Sequence, residues 1–340
     1  MRRLWPAPRP VVRADRTCAP GHTARRAPGF DYSHDVSDDA PRGPVQSWRA
    51  GHFVWPSGGR TKVVLLGGLG TRTGDAERSF SGMVRFLAER GGYDPRRDVL
   101  EATYAGSEIH GLWRPTAYGP ADTKRPLIDA AEAVASCLDW YRQVLPADAR
   151  LCVLGYSLGG VVGLDGATLA VARDRQAWHD RLGAVVTLAS PLRGCSLGAL
   201  MNWAWLVTAD LDGLGAAGRD LDARWTDPEE QTRLERRATF LRSHGTRVLT
   251  LVDPDDSVVR PEESLLPAPG ESLDDLQLRA RFSRPGSLGH GAMLDDPLVW
   301  QRVFAAVGPQ TQSGSQTVVN PIDAELAALK ARLRKEGRIK

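Results

Sequence analysis

Short, continuous apolar runs alternate with longer stretches of helical period through the middle of this chain. Val63-Val64-Leu65-Leu66, Leu151-Cys152-Val153-Leu154 and the runs over 184–189 and 247–252 are too short and too uniformly apolar for amphipathic helices. They read as strands buried on both faces. A further strand is predicted over 98–104, a last one over 276–282, and an edge strand or hairpin arm over 46–55. Between them, Phe80, Met83, Val84 and Leu87 share one helical face ahead of Gly91-Gly92. Pro126 opens a helix to about 144 from the first-turn position, where its missing N–H is of no consequence. A charged helix over 228–243, with Leu234 and Leu241 inward and His244 closing it, is followed by one over 298–307. Such alternation predicts an α/β domain, a mostly parallel central sheet flanked by helices with right-handed crossovers.

The run at 151–154 leads straight into Gly155-Tyr156-Ser157-Leu158-Gly159-Gly160, and small and apolar residues at helical spacing follow. Strand, sharp turn, helix is the context of a nucleophile elbow. The chemistry accounts for the glycines: a serine on a strained turn at a strand's carboxyl end leaves no room for a Cβ on Gly155 or Gly159. The helix behind it presents unpaired N–H groups where negative charge develops. Gly-x-Ser-x-Gly alone is a weak signal in a chain with 35 glycines, and a second copy stands at Gly194-Cys195-Ser196-Leu197-Gly198. That copy lies past the end of its strand with Pro191 between, so context selects Ser157 over Ser196.

Four other segments carry candidate chemistry. Gly67-Gly68-Leu69-Gly70 follows the first strand, where backbone N–H groups can approach a substrate oxygen; Leu69 and Leu158 are the expected oxyanion-hole donors. A dinucleotide turn is the competing reading, and it fails on register because Thr73 stands where a third glycine is required. The strand over 247–252 delivers Asp253, Asp255 and Asp256, of which position favours Asp256: Val258 and Val259 can anchor the loop after it, and Pro254 stiffens the approach from Asp253. His290 sits between Gly289 and Gly291 in a loop before the Asp295-Asp296-Pro297 helix start, in chain order after both serine and aspartate. The segment over 190–225 is dense in apolar residues and reads either as a cap over an apolar pocket, with Leu192, Met201, Trp203 and Trp205 as pocket residues, or as ordinary core helices.

Composition narrows the classes. With 340 residues, 42% of them hydrophobic, the chain can bury a full core. No apolar run approaches the ~20 residues of a membrane span. Arg2-Arg3 is followed by no apolar h-region, so a cytoplasmic location is expected. A net charge of +3, concentrated in the tails, argues against a nucleic-acid surface. The four cysteines have neither metal spacing nor a disulfide pattern, and no metal or organic cofactor is expected. Residues 1–44, rich in Arg, Pro, Asp and Gly, are expected to be a disordered tail ahead of a domain over 45–307. Residues 308–340 form a linker and a short amphipathic helix with Ile322, Leu326, Leu329 and Leu333 in phase, a candidate for docking on a partner or on the domain itself.

Taken together, Ser157, Asp256 and His290, each on a loop after a strand and in that order, resemble the α/β-hydrolase family over about 46–307. Gly155-Tyr156-Ser157-Leu158-Gly159-Gly160, the Asp256-Ser257-Val258-Val259 step and the Gly289-His290 loop are similar to lipases and esterases. Ser190-Pro191-Leu192-Arg193-Gly194 is similar to the Ser-Pro-His-Arg-Gly loop of lipase-like members, with Leu192 in place of histidine. Gly67 likewise stands where the oxyanion loop often has histidine. The resemblance implies an α/β-hydrolase fold with a helical cap insertion. It also implies a serine hydrolase that cleaves carboxylic esters, on small-molecule or lipid substrates, through a Ser157-His290-Asp256 triad and an acyl-enzyme. An acyltransferase using the same triad and a non-catalytic ligand-binding protein are the alternatives.

Overall fold

The computed structural model describes residues 61–110, 112–196, 214–280 and 289–309. The expected tail over 1–44, the arm over 46–55, Met201, Trp203, Trp205 and the helix around Leu326 lie outside the described residues. The strands are β1 (Thr61–Leu66), β2 (Val99–Glu101), β3 (Gly106–Ile109), β4 (Leu112–Pro115), β5 (Arg150–Tyr156), β6 (Leu182–Leu188) and β7 (Arg247–Leu251). Five of them form one sheet in the order β2-β1-β5-β6-β7, every pair parallel, while β3 and β4 make a separate antiparallel hairpin. The longer helices are α1 (Ser81–Gly91), α2 (Leu127–Val144), α3 (Leu158–Arg173), α4 (Gly215–Thr226), α5 (Pro228–Ser243) and α6 (Pro297–Val307).

The continuous apolar runs are strands because both faces of the sheet are covered. Along β1, Val63 and Leu65 pack with Met83 and Leu87 of α1 and Val303 and Phe304 of α6. The alternate residues, Val64 and Leu66, pack with Val134 and Leu138 of α2, Val161 and Val162 of α3 and Leu234 of α5. A period of two with apolar residues in both phases leaves no polar face for solvent. The result is a layered α/β architecture, a parallel sheet between helices.

Three elements differ from the sequence reading. The second strand is only three residues long, and Asp98 ahead of it makes a buried ion pair with Lys62 at 2.8 Å. The loop after it contains the β3–β4 hairpin, whose strands carry no continuous apolar run and face solvent over Gly106–Ile109. No strand forms over 276–280: Leu273–Leu276 is a helical turn, and Gln277 makes a single parallel bridge to Val252. Val252 is the last residue that can ladder there, since Pro254 has no N–H to extend the pairing.

The chain leaves β1 for β2 on one side, then crosses back past β1 to β5 and continues to β6 and β7. The helices after β1 and β5 therefore cover opposite faces, which opens a crevice at the carboxyl ends of these two neighbouring strands. Beside the crevice, Asp165 of α3 accepts from Arg224 of α4 at 2.6 Å and from Arg237 of α5 at 3.1 Å. This largely buried ion triad fixes α4 and α5 against the helix that begins at Ser157.

Candidate active site

Ser157 follows β5 directly with φ 55° and ψ −129°, a conformation that side-chain-bearing residues rarely adopt. Strain of this kind costs on the order of 1–3 kcal/mol and persists only where the surroundings enforce it. Here they do so on both sides: the Ser157 N–H donates to Leu188 O at 2.9 Å, and Ser157 O accepts from the Gly160 N–H at 3.0 Å. A Cβ on Gly155 would lie 2.4 Å from Gly159 O, and one on Gly159 would lie 2.5 Å from both Leu66 O and Gly67 O. Both flanking glycines are thus steric requirements, as the motif predicts.

The loop after β1 reaches the same point from the neighbouring strand. A Cβ on Gly68 would come 3.0 Å from Ser157 Cβ, so this backbone lies directly against the serine. Leu158 is the first residue of α3, and its N–H is outside the helical ladder. Leu69, the other expected donor, lines the same cavity as Ser157 and Leu158.

His290 follows Gly289, whose φ of 87° and close approach to Asp255 O (3.2 Å from a built Cβ) require glycine. The imidazole is buried, its Nδ1 is 2.7 Å from Asp256 Oδ2, and its ring packs on that of Tyr156 at 4.9 Å between centroids. Tyr156 is the residue before the serine, so the elbow and the histidine loop meet through this ring contact. The other carboxylate oxygen of Asp256 accepts the N–H groups of Val258 (2.7 Å) and Val259 (3.1 Å). With Nδ1–H donating to the carboxylate, Nε2 carries the lone pair.

Neither neighbouring aspartate is placed this way. Asp253 is buried, accepts from the Asp255 N–H at 2.9 Å, and has its carboxyl raised above the ordinary range by burial. Asp255 is exposed and pairs with Arg279 at 3.1 Å.

A small cavity, open to solvent, lies beside the serine. Among the described residues its lining is apolar apart from Ser157 itself: Leu69 and Leu158, Pro191 and Cys195, Leu214, Ala217, Gly218 and Leu221, and Val258 and Val259. Leu192, expected in the pocket, belongs instead to the core, fully buried, with its carbonyl accepting from Arg224 at 3.4 Å. The turn around it explains the difference. Arg193 is clamped outward on Gln231, Glu235 and the Leu265 carbonyl, and Gly194 at φ 83° is pressed against the backbone of α4, which leaves Pro191 and Cys195 to face the cavity. Ser196 follows on this loop, away from any strand end.

Sequence reasoning missed the hydroxyls around the loop after β1. Tyr104 donates to Gly67 O at 2.6 Å, Thr71 to Gly68 O at 2.7 Å, and the Gly70 N–H donates to Thr123 Oγ1 at 2.9 Å. A tyrosine at the end of the stretch over 98–104 is the local hint in the sequence. Nearby, Glu101 accepts from the Gly74 N–H at 2.7 Å and from Tyr118 at 3.3 Å, and burial pushes its carboxyl up to about 7. Among the described residues no group of three or more His, Cys, Asp or Glu is placed to hold a metal ion.

No protein-family model matches the chain, and no curated protein matches it. Among solved structures it is similar to phospholipase PlaB from Legionella pneumophila, at a TM-score of 0.43 and 13% identity over 61% of this chain. The match spans 45% of that protein's length. It is also similar to a lipase-esterase related protein from Clostridium acetobutylicum, with a TM-score of 0.43, 13% identity, and 74% of this chain covering 98% of that one. Est1E from Butyrivibrio proteoclasticus gives a TM-score of 0.37 at 15% identity, with 74% of this chain and 88% of that one covered.

Proposed function

We propose that this chain is a serine carboxylester hydrolase acting on small-molecule or lipid esters with an apolar acyl group. The observation that carries the reading is the 2.7 Å contact of His290 Nδ1 with Asp256, with the His290 ring packed on Tyr156, the residue before a serine held at φ 55° at the carboxyl end of β5. In this reading Ser157 Oγ attacks the acyl carbon while its proton passes to His290 Nε2. The tetrahedral oxyanion is held by the N–H groups of Leu69 and Leu158, an interaction whose loss typically lowers the rate about 100- to 1,000-fold. Collapse breaks the bond to the leaving alkoxide, which takes the proton from His290, and an acyl-enzyme remains. Water then adds to it with His290 as base, releases the acid and restores Ser157. Asp256 keeps Nδ1 protonated and stabilises the imidazolium that forms at each step.

The apolar lining of the cavity supports an acyl chain as its occupant, because among the described residues it offers no charged partner to a polar one. The test is a panel of p-nitrophenyl esters of increasing chain length, paired with a fluorophosphonate probe. Hydrolysis should be lost in Ser157→Ala, and the probe should map to the peptide that contains Ser157. Labelling at Ser196, or hydrolysis that survives Ser157→Ala, would overturn the proposal.

A further inference from the structure

We infer that Thr71 and Tyr104 are positioning residues that aim the Leu69 N–H at the acyl oxygen by locking two consecutive peptide planes of the 67–70 loop. The inference rests on the serine-hydrolase reading above and concerns how its oxyanion site is built. A trans peptide holds its C=O and N–H antiparallel in one plane. The peptide joining Gly68 to Leu69 therefore presents Leu69 N–H opposite to the direction of Gly68 O. That oxygen accepts the Thr71 hydroxyl at 2.7 Å and the Thr71 N–H at 3.4 Å. The preceding peptide is held through Gly67 O, which accepts the hydroxyl of the fully buried Tyr104 at 2.6 Å. Gly68, between the two anchors, is the residue that touches Ser157.

Glycine explains why such anchors are needed. Three glycines in four residues give the loop the close approach it requires but no intrinsic preference among conformations, so the donor direction has to be imposed from outside. The anchors are themselves supported. The Tyr104 and Tyr118 rings pack at 5.0 Å, and the Tyr118 hydroxyl interacts with both Thr71 and Glu101. Thr71 also fills the space that a Cβ on Gly67 would need, at 2.8 Å from its Oγ1. The other side of the loop is fixed by Thr123, buried, on the Gly70 N–H.

An oxyanion donor preorganised in this way acts on the transition state and much less on the bound ester, so its loss should appear in kcat. Thr71→Val keeps the shape and removes the hydroxyl; Thr71→Ser keeps the hydroxyl and removes a methyl. We expect Thr71→Val to lower kcat by about 10- to 100-fold with KM within about 3-fold, on the scale of a misplaced donor. Thr71→Ser should retain most of the wild-type kcat. Tyr104→Phe should repeat the Thr71→Val pattern from the other peptide, and it carries the test if Thr71→Val does not fold, as judged by thermal melting. Wild-type kcat in folded Thr71→Val or Tyr104→Phe would overturn the inference, as would a Thr71→Ser variant as impaired as Thr71→Val. In either case Ser157-dependent hydrolysis by the wild-type chain would stand. Absence of that hydrolysis would overturn the serine-hydrolase reading, and the inference with it.

Discussion

Asp256 grips His290 with one carboxylate oxygen, at 2.7 Å from Nδ1, and the backbone of its own loop with the other, through the N–H groups of Val258 and Val259. The same side chain therefore sets both the ring it orients and the turn it stands on. An asparagine could present its oxygen to the two amides, but its NH2 would then face Nδ1 and favour the other imidazole tautomer.

Asp256→Asn should accordingly remain folded and lose roughly 10,000-fold in kcat, as expected when the histidine is held in the wrong tautomer. Asp253→Asn and Asp255→Asn should stay within about 10-fold of wild type, since their carboxylates serve a turn and a surface arginine. Steady-state kinetics on the three variants, each checked by thermal melt, decides the matter; a larger loss at Asp253 would move the role there.

The cavity wall makes a second prediction about chain length. Each methylene buried in it should contribute up to about 0.8 kcal/mol, so kcat/KM should rise more than tenfold from acetyl to medium-chain esters. Leu221→Trp, which places bulk on the α4 side of the cavity, should shift the preference toward short chains and leave acetyl ester turnover within a few-fold. Equal kcat/KM on acetyl and medium-chain esters in the wild type would argue against acyl binding there.

Glu101 links stability to pH. Burial raises its carboxyl from the ordinary 4.5 to about 7, partly offset by the N–H groups of Gly74 and Ala76 and assisted by the charge of Glu77. An acid with a raised pKa binds its proton more tightly in the folded state. Its contribution is thus fully present below about pH 4.5, falls as pH rises through 7, and is flat above. The whole change amounts to about 3 kcal/mol. Glu101→Gln can keep an oxygen toward Gly74 and an NH2 toward Tyr118, and removes this slope. Denaturant midpoints from pH 5 to pH 8 should therefore fall more in the wild type than in Glu101→Gln.

The Asp165 triad gives a stability prediction away from the reacting atoms. Asp165→Ala leaves Arg224 buried without its carboxylate and should destabilise the fold by about 3–5 kcal/mol. Replacing the pair together, as Asp165→Leu with Arg224→Leu, should recover much of that loss, which urea midpoints would reveal. A single variant as stable as wild type would mean that α4 is held mainly by its apolar contacts.

What could be read from sequence follows the range of the interactions involved. Ser157 was legible because its strand, turn and helix are contiguous, and the glycines that make the turn possible flank it directly. The meeting of Asp256 and His290 was legible from their order in the chain, although the strand expected ahead of His290 does not form over 276–280 and the two amides that steady Asp256 could not be foreseen. The wall formed by Ala217, Gly218 and Leu221 was not, because helical periodicity reveals that a face is apolar but not which strand end it covers. Leu192 was misjudged for a related reason: its side-chain direction depends on how Arg193 is clamped by Gln231 and Glu235, far along the chain. Tyr104 and Thr71 escaped notice because a hydroxyl bonded to a backbone carbonyl leaves no periodic trace.

Under the proposed function, the ladder between β1 and β5, in which Leu66 stands opposite Gly155, also bears on how activity would be acquired during folding. The proposed donors, the N–H groups of Leu69 and Leu158, hang from the ends of these two strands, which are far apart in sequence and joined by a crossover that includes α2. Local helices can form early, but pairing of this separation requires closure of a long loop and is among the slower events. A slip of one residue in the ladder would move the two donors out of step with each other and reverse the faces of every side chain on β1. Competence at Ser157 should therefore emerge only with native register across the middle of the sheet, so the site reports on the completion of the fold and not on the formation of its parts.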